Sequence, residues 1–242
     1  GNMGSSTIQQ TLLFGLFLIG FGQLQFSRAF VRDSYLPMLI ALGLTLVVAI
    51  DGTISRLDGI ALLAAYLVYT YHHYRHRRRE YAVPEMASAN VRRDALIAAA
   101  SLLLVVLAAT LLLAIAEVVV DALALGGSIV GVITIGIAAA LPELSTVLDA
   151  IRRRAPDIAL GTLIGSNIVN PLIGIGLGGA ISTYEVPFPV IAWDLPFKIA
   201  IGLAVLLYVR LGNRALSRRE GGYLIVLYFV FVTTRILVFP GQ

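Results

Sequence analysis

Eight long apolar segments, separated by short polar stretches, limit what this 242-residue chain can fold into. Most are long enough to cross the ~30 Å hydrocarbon core of a bilayer as a helix of ~20 residues. A soluble domain could not bury the apolar surface of a chain that is 58% hydrophobic and 13% charged. Because lipid excludes unpaired backbone groups, we predict an all-α, polytopic transmembrane protein. The segments span residues 7–27, 35–51, 57–73, 95–120, 127–150, 157–182, 188–210 and 220–238.

The basic residues of the loops alternate along the chain. Arginines concentrate in the first, third, fifth and seventh loops, and the even loops carry few. The positive-inside rule therefore predicts that the odd loops are cytoplasmic and that the C-terminus lies outside, in a multi-pass protein of the plasma membrane. We interpret these arginines as solvated membrane anchors and expect no nucleic-acid partner. They are Arg28, Arg32, Arg75, Arg77, Arg78, Arg79, Arg92, Arg93, Arg152, Arg153, Arg154, Arg210, Arg214, Arg218 and Arg219.

The first three segments resemble the last three. Leu-Pro at 36–37 recurs at 195–196, Gly-Leu at 15–16 recurs at 176–177, and the loop sequence at 55–59 recurs in similar form at 217–221. The offsets of 159, 161 and 162 keep these matches in register. Matched segments lie five helices apart, an odd number, so they run in opposite directions. This pattern predicts an inverted-topology repeat, an architecture typical of secondary transporters.

The repeat also predicts how the chain is organised. We expect a repeat unit of five helices, of which the second half has all five and the first half has its last three. The predicted divisions are a partial first half at 1–73, a basic cytoplasmic linker at 74–93 and the second half at 94–242. We expect the two remaining helices of the first repeat to precede residue 1.

Glu143 is the most informative acidic residue. It lies inside the segment at 127–150, nine residues before Arg152, which places it ~14 Å from the cytoplasmic end at 1.5 Å per residue. A carboxylate near the midplane is a candidate functional group, although a hydrogen-bonded structural role is the alternative. Pro142 predicts a break in this helix, which would expose the backbone carbonyls around Gly136 and Ala139 to a cation.

The next segment, residues 157–182, has polar side chains at a depth in the membrane similar to that of Glu143. Ser166 and Asn170 are four residues apart and share a helix face, and Gly161 and Gly165 would allow close helix approach. Hydrogen bonding between helices is the alternative role for these side chains. The repeat maps Ser166 onto Ser5 and Asn170 onto Gln9. Hydroxyl, amide and carboxylate oxygens together suit a hard cation such as Ca²⁺ or Na⁺.

Other polar residues suggest no enzymatic chemistry. The chain has no cysteine, nucleotide-binding loop or nucleophile constellation, so we expect no enzyme and no cofactor. Asp194 and Lys198 are spaced four residues apart, and we expect them to form an ion pair.

Three runs of residues carry a resemblance to a known family. Leu141-Pro142-Glu143-Leu144-Ser145-Thr146, the stretch 157–161 and the stretch 165–170 closely resemble the second α-repeat of the Ca²⁺/cation antiporter superfamily, most of all its sodium/calcium exchanger branch. The resemblance covers essentially the whole chain. It implies exchange of Ca²⁺ for Na⁺ or H⁺ by alternating access, at a midplane site built from both repeats. It also implies that Glu143 is a shared ligand flanked by Ser166, Asn170, Ser5 and Gln9.

One departure from the family pattern leaves the coupling ion open. Where the family has Gly-Thr-Ser before Leu-Pro-Glu, this chain has Ala138-Ala139-Ala140, which lacks hydroxyls expected to help bind Na⁺. Ca²⁺ exchange for Na⁺ or H⁺ across the bilayer is the leading hypothesis. A passive cation pore and a non-transporting membrane scaffold with the same fold are the alternatives.

Overall fold

The computed structural model describes residues 1–77, 130–212 and 215–239, together with scattered positions between 92 and 118. Most of the predicted linker at 74–93 and of the predicted helix at 95–120 lies outside these residues. The described ranges contain seven long helices, in agreement with the other seven predicted segments. They are α1 (residues 2–21), α2 (Arg28–Ala49), α3 (Arg56–Arg77), α4 (Gly131–Arg153), α5 (Pro156–Ile181), α6 (Val190–Leu211) and α7 (Arg218–Val238).

Helix lengths and surfaces fit a multi-pass membrane protein. Helices α2, α4, α5, α6 and α7 are long and apolar enough to cross a membrane. Large apolar side chains such as Ile40, Val47, Leu207 and Phe229 lie exposed on their outer surfaces. Lipid tails can solvate such residues, whereas water would not.

Two helix boundaries differ from the prediction. Helix α1 ends at Phe21 rather than near residue 27, because Gly22 adopts a positive φ of 85° that a helix cannot continue through. Helix α3 continues to Arg77, four residues into the predicted linker.

Two short antiparallel strand pairs tie the loops together at opposite ends of the bundle. Strand β1 (Leu24–Gln25) pairs with β4 (Ala215–Leu216), and β2 (Thr53–Ile54) pairs with β3 (Tyr184–Glu185). The first pair joins the first and seventh loops, and the second pair joins the second and sixth loops. The structure therefore confirms that these two arginine-rich loops share one face and that the two arginine-poor loops share the other.

The inverted repeat is visible in these same strands. Strand β1 of the first half corresponds to β3 of the second half at an offset of 160 residues, and β2 corresponds to β4 at an offset of 162. The repeat therefore relates the β1–β4 pair at one face to the β2–β3 pair at the other face. The π-helical segments follow the same rule. Those at Gln9–Leu13 in α1 and Val31–Tyr35 in α2 correspond to those at Asn170–Ile175 in α5 and Val190–Asp194 in α6. The structure thus confirms the inverted repeat.

Matching caps begin the last helix of each half. The backbone N–H of Ser55 donates to Asp58 at 2.9 Å, and that of Ser217 donates to Glu220 at 2.7 Å. Each serine hydroxyl also donates to the same carboxylate. These reciprocal bonds satisfy N–H groups that a helix start leaves unpaired, which explains why the loop sequence is repeated.

The tightest helix crossings occur at glycines that the sequence did not single out. A Cβ atom at Gly4 in α1 would lie 1.8 Å from the Val132 carbonyl oxygen in α4, and one at Gly59 in α3 would lie 2.2 Å from the Ala180 backbone nitrogen in α5. Only glycine permits such contact. At Gly161 and Gly165 a Cβ would meet no atom within 4 Å among the described residues, so the close helix approach expected there does not occur within that part of the chain.

Three charged side chains are buried between α6 and α7. Asp194, Lys198 and Arg235 are at most 1% exposed. The Asp194 Oδ1 atom lies 3.4 Å from Arg235 Nε, whereas the Lys198 ammonium makes no hydrogen bond. The expected Asp194–Lys198 pair is therefore replaced by an ion pair between helices, because α7 supplies a cation that the sequence spacing could not show.

Candidate cation-binding site

Helix α4 carries Glu143 and runs without interruption through Pro142. The prediction that Pro142 breaks this helix was wrong. Proline costs the helix one backbone hydrogen bond, but the turns on either side are held by the buried side chains Ala140 and Val147. The hydroxyls of Ser145 and Thr146 also donate to the Pro142 carbonyl, at 2.7 and 3.0 Å.

Because the helix is unbroken, Gly136 and Ala139 do not have the unwound backbone that was expected to bind a cation. A Cβ at Gly136 would lie 2.9 Å from the Gly4 Cα, so this glycine forms the crossing of α1 and α4. Ala139 is exposed and lies in regular helix, where its carbonyl faces the backbone amide of Glu143 one turn later. The unwound carbonyls expected around these two residues are absent from this part of the helix.

Three helices meet at the Glu143 carboxylate. Its Oε1 atom accepts hydrogen bonds from Gln9 Nε2 at 3.0 Å and from Ser166 Oγ at 3.1 Å. The Oε2 atom is buried and has no hydrogen-bond partner among the residues that the structure describes. The structure thus brings together three of the predicted site residues, from α1, α4 and α5, and leaves one carboxylate oxygen free to accept.

Asn167 belongs to this network and was missed by sequence reasoning. Its Nδ2 donates to Gln9 Oε1 at 3.2 Å and to the Leu163 carbonyl at 2.8 Å, and its own Oδ1 is buried without a partner. These bonds orient the Gln9 amide with its nitrogen towards Glu143. A signal was available, because Asn167 lies next to Ser166 and three residues before Asn170.

A second group of polar contacts lies one helical turn away. Asn170 Nδ2 donates to Ser6 Oγ at 3.1 Å, and the Asn170 carbonyl accepts from Asn2 Nδ2 at 2.9 Å. Ser5 is buried, but its hydroxyl donates to the Asn2 carbonyl at 3.1 Å rather than to any predicted ligand. Ser6, the neighbour of the predicted Ser5, therefore contacts the Asn170 side chain.

The site has the chemistry of a hard-cation ligand set. Carboxylate, amide and hydroxyl groups converge from α1, α4 and α5. In the described part of the chain, two buried acceptor oxygens, Glu143 Oε2 and Asn167 Oδ1, lack hydrogen-bond donors. Unpaired buried acceptors are costly, and a cation would satisfy them. Within the described ranges, no group of three or more His, Cys, Asp or Glu side chains is placed to hold a metal ion. This donor set is therefore one carboxylate supported by neutral oxygens.

Replacing Asn167 should test whether it positions Gln9. Asn167→Ala removes the hydrogen bond to Gln9 Oε1, worth about 1 kcal/mol, that keeps the Gln9 amide nitrogen rather than its oxygen towards Glu143. Because a hard cation needs the oxygen, we expect about a fivefold gain of Ca²⁺ affinity by calorimetry. The gain should vanish when Asn167→Ala is added to a Gln9→Ala variant, and an equal gain in both backgrounds would contradict the positioning role.

Comparisons with known proteins bear on this geometry. The sequence profile of the family described as "Sodium/calcium exchanger protein" matches residues 1–75 and 94–237. The chain is 31% identical over 112 residues to the sodium/calcium exchanger MaX1 of Methanosarcina acetivorans, which covers 46% of this chain and 32% of that protein. It is 24% identical over 211 residues to the membrane protein MJ0091 of Methanocaldococcus jannaschii, covering 84% of this chain and 66% of the relative. The alignment to MaX1 thus spans about a third of that relative's length.

Solved structures share the fold. The sodium-calcium exchanger NCX_Mj, soaked with Na⁺ and Sr²⁺, superposes with a TM-score of 0.70 at 21% identity, over 96% of this chain and 75% of that one. The H⁺/Ca²⁺ exchanger CAX superposes with a TM-score of 0.68 at 16% identity, over 99% of this chain and 64% of that one. With the profile match over most of its length, this chain is a multi-pass membrane protein that belongs to the sodium/calcium exchanger family of transporters.

Proposed function

We propose that this protein is a secondary active antiporter that exchanges Ca²⁺ for Na⁺ or H⁺ at the Glu143 site. The observation that carries the proposal is the Glu143 carboxylate, which accepts from Gln9 and Ser166 through one oxygen and keeps its other oxygen buried and unpartnered. Intramembrane carboxylates with polar neighbours on facing helices typically mark ion pathways.

The hydrogen bonds at Glu143 also suggest how the ligands respond to an ion. Gln9 presents its amide nitrogen to Glu143 and its oxygen to Asn167. A cation bound by Glu143 would require the Gln9 amide to turn its oxygen inward, because only oxygen can ligate a hard cation. We infer that the hydrogen-bonded arrangement is the cation-free one, and that Ser166 and Asn167 stabilise it until an ion binds.

A cleft between α3 and α5 supports access from one face. It has a volume of about 930 Å³ and is lined by Tyr66, Thr70, Asp157, Gly165 and Ile168, among others. Asp157 lies at the arginine-rich end of α5, and Gly165 precedes the site residue Ser166. The cleft therefore leads from the predicted cytoplasmic face to the depth of the site.

Ca²⁺ uptake into proteoliposomes tests the proposal directly. The full-length protein would be reconstituted, and radiolabelled Ca²⁺ uptake measured with an outward Na⁺ gradient or an outward H⁺ gradient. Uptake driven by one gradient would support antiport and identify the coupling ion. Uptake that follows the Ca²⁺ gradient alone would indicate a passive pore, and well-folded protein that binds no Ca²⁺ would indicate a scaffold.

A further inference from the structure

Among the described residues, the buried charged side chains between α6 and α7 carry a net positive charge. The Asp194 carboxylate lies near two cations, Arg235 at 3.4 Å and Lys198 on its own helix. The Lys198 ammonium is 1% exposed and donates no hydrogen bond to any residue that the structure describes. A buried charge without hydrogen bonds is strongly unfavourable in an apolar environment.

Lys198 differs chemically from the arginines of the chain. It is the only lysine in the sequence, and the remaining members of the 18 Lys and Arg residues are arginines. An arginine guanidinium keeps its proton in proteins, whereas a lysine ammonium can lose its proton when it is buried. The one lysine therefore lies fully buried in a membrane-spanning helix, where proton loss would remove the uncompensated charge.

The repeat indicates that the fold does not require this lysine. With the offset of 159 residues, the counterparts of Asp194 and Lys198 in the first half are Tyr35 and Leu39. Tyr35 donates its hydroxyl hydrogen to the Gly202 carbonyl at 3.1 Å, and Leu39 is a buried core residue. The same helix position is thus filled by an apolar side chain in one half and by a cation in the other.

Neighbouring side chains of α1 connect Lys198 to the ion site. Gln9 donates to Glu143 Oε1, and the next residue, Gln10, donates to the Lys198 carbonyl, both at 3.0 Å. Both glutamines lie in the π-helical segment that begins at Gln9. A change in this segment when a cation binds at Glu143 would therefore also act on the α6 backbone at Lys198.

We propose that Lys198 carries the coupling proton: its ammonium releases a proton when Ca²⁺ binds at the Glu143 site and regains one when Ca²⁺ leaves. In this step the Nζ–H bond breaks, its electron pair stays on nitrogen, and the proton passes to water at the open face of the carrier. Ca²⁺ favours the release because two cations repel each other strongly in a region of low dielectric constant. The charged side chains around Lys198 in the described residues are Asp194 on α6 and Arg235 on α7. This inference rests on the proposed Ca²⁺ site and selects H⁺ as the coupling ion, in keeping with the alanines at 138–140.

Lysine-specific NMR can observe this proton directly. The full-length protein would be labelled with ζ-¹⁵N lysine in nanodiscs, and the signal that disappears in Lys198→Leu would be assigned to Lys198. We expect that signal to report an ammonium without Ca²⁺ and a neutral amine with saturating Ca²⁺ at the same pH. Leucine is the replacement because the repeat already accepts Leu39 at this position.

Calorimetry of Ca²⁺ binding in buffers of different ionisation enthalpy provides the second measurement. Lys198→Leu should still bind Ca²⁺ but should release about one proton fewer per ion bound. Lys198→Arg keeps a permanent cation, so it should bind Ca²⁺ more weakly at every pH and should also release one proton fewer. An NMR signal that Ca²⁺ does not change, or equal proton release in Lys198→Leu and the unmodified protein, would overturn the role of Lys198. Absence of Ca²⁺ binding by the unmodified protein would instead refute the Ca²⁺ site itself, and the inference with it.

Discussion

Glu143→Gln should abolish measurable Ca²⁺ binding and leave the fold intact. Glutamine has nearly the same shape and keeps a side-chain oxygen to accept from Gln9 and Ser166, so the contacts among α1, α4 and α5 can persist. The charge is lost, however. Two unit charges 4 Å apart interact by about 4 kcal/mol at an effective dielectric constant of about 20, and about 1.4 kcal/mol corresponds to a factor of ten in affinity. Since desolvation offsets part of this energy, we expect a loss of at least ~100-fold.

The matched control for this variant lies on the same helix. Asp149 is an exposed carboxylate of α4 that pairs with Arg153 at 2.7 Å. Asp149→Asn makes the same change of charge two turns nearer the helix end, where an exposed ion pair contributes little. Ca²⁺ affinity from calorimetry and the melting temperature would be measured for both variants. Unchanged affinity in Glu143→Gln, or an equal loss in Asp149→Asn, would rule out Glu143 as the ion ligand.

Gly4→Ala should prevent the two halves of the site from assembling. The added Cβ would lie 1.8 Å from the Val132 carbonyl oxygen, and it would also lie 2.8 Å from the Val132 Cα. Because the obstacle is backbone rather than a flexible side chain, α1 and α4 must move apart. Gln9, which follows on the same helix as Gly4, would then lose its contact with Glu143.

The expected result is a large fall in both stability and Ca²⁺ binding. Overpacking a well-packed contact costs about 1–3 kcal/mol even when side chains can adjust, and here the backbone must shift. Gly161→Ala is the control, since a Cβ there meets no described atom within 4 Å and alanine favours a helix over glycine. Melting temperature and monodispersity in detergent would be compared for the two variants. A Gly4→Ala protein as stable as Gly161→Ala would contradict the close crossing of α1 and α4.

Much of the candidate site could be predicted from local sequence. The depth of Glu143, counted from the arginines that end its helix, identified the central carboxylate. The repeat then identified Gln9, whose side chain donates a hydrogen bond to the Glu143 carboxylate in the structure. The predictions failed where one residue had to be chosen over its neighbour. Ser6 rather than Ser5 contacts Asn170, and Asn167 joins the network beside Ser166.

These errors have a common physical cause. Spacing within one helix gives the angle between neighbouring side chains, but which of two neighbours faces another helix depends on how α1, α4 and α5 pack together. The break predicted at Pro142 failed for a different reason. The loss of one backbone hydrogen bond is a local cost, and packing on both sides of the proline outweighs it.

By itself, the sequence determined the number and order of most helices, the inverted repeat and the carboxylate at the centre of the site. These properties depend on hydrophobicity, charge and local spacing, which can be read directly from the order of the residues. Only the tertiary structure decided that Gly4 and Gly136 form the crossing of α1 and α4, that Gln9 and Asn167 share a hydrogen bond, and that Arg235 pairs with Asp194. Those contacts join residues that are distant in sequence. Local patterns allow many such partners equally well, and only the packing of the helices determines which of them meet.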